Sequence, residues 1–177
     1  MSERILTLDD IHNIPPDLFP MLCFADNPLA LFGFLIKART KGYYSHFQWL
    51  VGPDQIASQW FYFKAFPLSH YAGYSLKLVY NPQWGPNQRA LLINNIARDL
   101  ALPWYRTRYD FVHILGKLLG LDWIQSKRFR ICSDTADHLR LVDGYYDLKN
   151  PTPSDVNAWT KAHNPPYQVY GRYFAGD

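Results

Sequence analysis

The tripeptide Gly52-Pro53-Asp54 constrains this chain more than any other short stretch of it. It separates two aromatic, β-prone runs, 45–51 and 56–63, and an apolar run, a Gly-Pro-Asp turn and a second apolar run spell a β-hairpin. Residues 74–80 alternate as a half-buried strand does. After Asn81-Pro82-Gln83-Trp84-Gly85-Pro86 the hydrophobic period becomes helical: Leu91, Leu92, Ile96 and Leu100 mark a helix over 87–100. Phe111, Val112, Leu115, Leu118 and Leu119 mark another over 110–119, stopped by Gly120. A third helix is expected from near Cys132 to Val142, ending before Asp143-Gly144. A short helix is expected in 152–159, with Ser154 as N-cap. The apolar run 29–37 is short and holds Gly33, which favours a strand.

This pattern predicts one α+β domain without internal repeats. Residues 1–28, broken by Pro15-Pro16, Pro20 and Pro28, read as an irregular lead-in with at most a short helix at 8–13. The domain proper is expected over 29–160, and 161–177 read as a Pro- and aromatic-rich tail.

Composition narrows the function classes. Hydrophobic residues make up 48% of the 177 and charged residues 19%, which excludes a disordered chain. The net charge of +3 comes without a dense basic stripe, since Lys127-Arg128-Phe129-Arg130 is short, so no nucleic-acid partner is expected. Two cysteines, Cys23 and Cys132, make no disulfide framework and no zinc-binding pair. No run is long and apolar enough for a membrane span, and the acid in Met1-Ser2-Glu3-Arg4 argues against a secretory signal. A cytoplasmic chain is expected. No cofactor or metal is expected either, for want of a glycine-rich phosphate loop or ligand spacing, and no two acids converge as glycoside cleavage requires. Aromatic residues, at 17%, are in surplus and suit a partner-facing surface as well as a core.

Chemistry centres on Cys132. An extended entry, Phe129-Arg130-Ile131, leads into a helix whose first turn holds the thiol, and the positive end of the helix dipole favours thiolate. A free Cys is equally at home as a small buried hydrophobe, so this placement alone leaves both roles open. A thiolate nucleophile needs an imidazole. His138 lies six residues on along the same helix, His113 sits in an apolar helical pattern, and His12, His70 and His163 fall in loops. His46 opens a strand, which fixes its ring direction.

In order, Ser45-His46 at a strand start, its hairpin partner, a mid-chain helix, Tyr109-Asp110-Phe111, Cys132-Ser133-Asp134 and Thr152-Pro153-Ser154-Asp155 resemble the permuted papain-like amidases. These belong to the NlpC-like cysteine peptidase superfamily. The resemblance spans 34–158, most of the chain. It implies a circularly permuted papain-like fold, an antiparallel sheet packed against a helix bearing the nucleophile, with the catalytic His ahead of the Cys. Carried over residue by residue, Cys132 stands at the nucleophile, His46 at the general base and Tyr109 at a tyrosine lining the site. Asp134 stands where the family pattern has Glu. The imidazole-orienting residue is where the sequence departs: Ala57-Ser58-Gln59-Trp60 offers Gln59 or Ser58, and Gln48 shares the face of His46. Gln59 is the favoured choice.

The resemblance implies a thiol hydrolase, bacterial or from a bacteriophage, that cuts an amide bond in peptidoglycan peptide. Trp49, Trp60, Trp104 and Tyr109 are the expected walls of its peptide groove. Two other readings stand beside it. One is a thioesterase or acyltransferase on the same fold. The other is a catalytically degenerate structural component of a phage tail or virion.

Overall fold

In the computed structural model, which describes residues 4–26, 37, 43–108, 110, 132–144, 151–162 and 167–174, seven strands share one sheet. They are β1 (Ile5–Leu6), β2 (Met21–Asp26), β3 (His46–Gly52), β4 (Gln55–Gln59), β5 (Phe63–Pro67), β6 (Ser75–Tyr80) and β7 (Gln168–Tyr173). Their order across the sheet is β1-β7-β6-β2-β3-β4-β5, and every neighbouring pair is antiparallel except β1 with β7. The helices are α1 (Leu8–His12), α2 (Pro86–Leu100), α3 (Arg140–Asp143) and α4 (Pro153–Ala162), with a 3₁₀ helix at Cys132–Leu139. The fold is mixed α+β, as the sequence predicts.

The hairpin forms where its turn residues place it, with β3 and β4 flanking Pro53-Asp54. The pleat then sends successive side chains to opposite faces. Phe47, Trp49 and Ala57 turn toward α2, α4 and the 3₁₀ helix, where Leu92, Ile96, Ala136, Leu139 and Val156 complete one core layer. Leu50, Ile56, Cys23 and Ala25 turn the other way, onto Ile11, Phe19, Leu68 and Tyr71. The sheet is therefore covered on both sides.

Two expected boundaries need correction. Residues 1–28 are no lead-in: β2 is the middle of the sheet, paired with β3 on one side and β6 on the other. Residues 161–177 are no tail, because β7 pairs with β6 and carries β1. Gly171 permits that last contact. A Cβ there would come within 2.7 Å of Leu6 Cγ and 2.8 Å of the Arg4 carbonyl oxygen, closer than side chains tolerate.

The helices follow their sequence signals more closely. In α2, Gln88 Oε1 accepts from Gly85 N–H at 2.9 Å and Pro86 occupies the first turn. Leu92 and Ile96 are buried as expected, but Leu91 is exposed, whereas Arg89 is buried. The Arg89 guanidinium donates to the carbonyls of Leu18, Trp84 and Asn81 at 2.7–3.1 Å, tying the N-terminal segment to α2. The helix expected over 132–142 has the right limits but is 3₁₀ for its first eight residues, and Gly144 ends it in the left-handed region at φ 64°. The cap of α4 is Thr152 rather than Ser154: its Oγ1 accepts from Asp155 N–H while Asp155 Oδ2 accepts from Thr152 N–H. The expected strand at 29–37, of which only Lys37 is described, and the expected helix at 110–119, of which only Asp110 is described, otherwise lie outside the described residues.

Candidate functional site

His46 belongs to the face of the sheet that carries Leu50 and Cys23. Its Nε2 lies 2.7 Å from Ser58 Oγ, on the neighbouring strand β4. Ser58 is also hydrogen-bonded to the Tyr71 phenol, which accepts from the Trp60 indole at 3.1 Å. The Trp60 ring sits 5.8 Å from the imidazole. Beside this chain of bonds, Gln48 Nε2 donates to Cys23 Sγ at 3.4 Å. Burial pushes the His46 imidazole down to about 4 and the Cys23 thiol up to about 12, so both are uncharged at neutral pH. Cys23 is a packing residue, as its sequence context suggests.

Cys132 lies against the other face. It opens the 3₁₀ helix and is 2% exposed. Its carbonyl accepts from Thr135 Oγ1 at 2.7 Å, and the Thr135 carbonyl accepts from the fully buried Trp49 indole at 3.0 Å. Trp49 is thus the pin that seats this helix on β3. At the far end of the same helix, His138 Nε2 stands 3.5 Å from Asp99 Oδ2 of α2, with the Trp49 and Phe63 rings at 6.3 and 6.5 Å. Six residues along a 3₁₀ helix make two turns and roughly 12 Å, so His138 is no direct base for Cys132.

The expected pair is therefore not assembled. His46 and Trp49 are three positions apart on one strand, an odd number, so their side chains leave opposite faces. Trp49 holds the Cys132 helix; His46 holds Ser58. The backbone of the sheet lies between the imidazole and the helix that carries the thiol.

Gln59 fails as the orienting residue for the same reason. It neighbours Ser58 and points away from His46, donating through Nε2 to the Thr107 carbonyl at 2.6 Å. Its Oε1 meets no hydrogen-bond partner among the described residues. Ser58, the second choice, is the group that touches the ring. The expected groove walls scatter as well: Trp49 is core on the Cys132 face, Trp60 packs on the His46 face, and Trp104 is 58% exposed at the sheet edge. Tyr109 lies outside the described residues.

That edge is a feature the sequence reading missed. Phe61 (70% exposed), Trp104 and Tyr105 (57%) stand in solvent with Tyr62. A single antiparallel bridge, Tyr62 to Arg108, joins the two segments beside the edge strand β5. The Arg108 guanidinium sits 5.3 Å from the Trp104 ring centre, and Lys64 Nζ sits 5.5 Å from that of Tyr62. Also missed is Asp143, whose Oδ2 accepts from the Trp84 indole at 2.8 Å and from the Tyr167 phenol, clamping the chain before β7 to the start of α2. Burial, together with that carboxylate, raises the Tyr167 phenol well above its ordinary range.

Among the described residues, no three His, Cys, Asp or Glu side chains gather as metal ligands would, and no helix is long and apolar enough to cross a membrane. No protein-family model matches the chain, and no curated protein matches it as a relative.

Proposed function

We propose that this chain is a catalytically silent relative of the permuted papain-like amidases, acting by binding as a component of a larger assembly. The assembly in this reading is a bacteriophage tail or virion. Kinship is supported by an antiparallel sheet backed by a helix that begins with Cys132. Silence is supported by one observation above the others: the sheet separates Cys132 from His46. A cysteine hydrolase needs thiol and imidazole within hydrogen-bond reach of each other. A thioesterase or acyltransferase on this fold would use the same pair, so the same separation weighs against it. A binding role draws support from the exposed aromatic side chains of 61–62 and 104–105, in two segments joined by the Tyr62–Arg108 bridge.

The test is chemical. Folded protein is treated with iodoacetamide at neutral pH, and separately with muropeptides and an acyl thioester. The expected result is alkylation of Cys132 far slower than of free cysteine, no cleavage and no acyl-enzyme. Muropeptide cleavage that disappears in Cys132→Ala would overturn the proposal, as would rapid alkylation of Cys132 in the folded protein.

A further inference from the structure

Resting on the reading of the chain as a binding module, we propose that the Tyr62–Arg108 edge takes single-stranded nucleic acid, with bases stacked on exposed rings and phosphates on the cations between them. Arg106 and Arg108 are exposed and Lys64 is half-buried, and all three lie in the two segments joined by the Tyr62–Arg108 bridge. No Asp or Glu occurs in 60–73 or 101–108; the flanking Asp99 and Asp110 are buried, and Asp54 lies by Leu68, past the other end of β5. The sequence shows no basic stripe because Lys64 lies more than forty positions from Arg106 and Arg108 until the fold brings them together.

Ligand chemistry follows from using both features at once. An acidic peptide would engage the cations and leave the rings idle. A neutral glycan would do the reverse, and a duplex hides its base faces. A polymer with one flat π-face and one negative charge per unit engages both. The Trp104 ring is already backed by the Arg108 guanidinium yet remains largely exposed, so it is held ready for a stacking partner, and less side-chain freedom is lost on binding.

The experiment is fluorescence anisotropy of the full chain with labelled single-stranded DNA and RNA 20-mers, a duplex of equal length, polyglutamate and soluble peptidoglycan fragments. With about three phosphates neutralised, single-strand affinity should fall about 20-fold between 50 and 200 mM salt. Trp104→Ala should weaken it at least fivefold, the smallest effect expected for losing one stacked base. Arg106→Gln should flatten the salt slope by about 0.7. Both residues are exposed, and unchanged melting temperatures would show that the variants fold. No single-strand binding, equal binding of duplex or polyglutamate, salt-independent binding of peptidoglycan fragments, or full affinity in Trp104→Ala overturns the assignment. Such a failure with Cys132 still unreactive removes only the ligand; a reactive Cys132 removes the binding-module reading beneath it.

Discussion

The two faces of the sheet bury polar groups in different company. On the His46 face the members are all uncharged and form two groups: imidazole, hydroxyl, phenol and indole bonded in series, and beside them an amide bonded to a thiol. On the Cys132 face ionisable side chains meet partners from other elements. There His138 meets Asp99, and Lys77 Nζ reaches Asn157 of α4 at 2.7 Å. The first arrangement ties neighbouring strands to one another and to the 68–71 turn; the second ties helix to helix and helix to sheet. Burial without a counter-charge keeps His46 neutral, and this sets it apart from the base of a working thiolate pair, which must hold a proton beside a negative sulfur.

The largest test of this contrast is Trp49→Ala, which should cost about 3–5 kcal/mol in chemical denaturation through lost packing and the lost bond to Thr135. A loss below about 1 kcal/mol would mean that something other than Trp49 seats the Cys132 helix. Next comes pH. The imidazole titrates at 6.5 when unfolded and at about 4 in the fold, so the unfolded chain binds the extra proton between those values. Stability should be complete above pH 6.5 and fall by at most about 3 kcal/mol as pH drops to 4. Urea titrations at pH 7 and 4 should show this difference in the wild type and its absence in His46→Gln. The smallest effect is pairwise coupling. Ser58→Ala and His46→Gln should couple by about 1 kcal/mol in a double-mutant cycle, whereas Gln59→Leu and His46→Gln should add. Coupling of Gln59 rather than Ser58 would reverse the assignment of faces.

Several of these elements were legible in the sequence. The hairpin was, because Gly-Pro-Asp dictates a turn regardless of what packs around it. So was α2, whose buried Leu92 and Ile96 recur at helical spacing beneath a Gly-Pro start. β2 was not. Met21-Leu22-Cys23-Phe24-Ala25 is buried on both sides, so it lacks the alternation that marks a half-buried strand, and flanking prolines disguise it further. β7 was hidden by polar and aromatic residues that suit an outer position. For the site, both side chains were identified as chemically competent, and the odd spacing of His46 from Trp49 was there to be counted. What no local pattern states is which face the Cys132 helix covers, since that depends on a hydrogen bond spanning 86 positions. The cations of the β5 edge were invisible for the same reason.

The parallel docking of β1 on β7 has a consequence for synthesis. Ile5 and Leu6 leave the ribosome early but find their template only when Arg172 and Tyr173 have followed. Until then the outer edge of β6 is bare, an unfinished border open to any passing strand. A message truncated before Gln168 would yield a chain with most of its core yet with that border permanently open, a product destined for aggregation or for the protease.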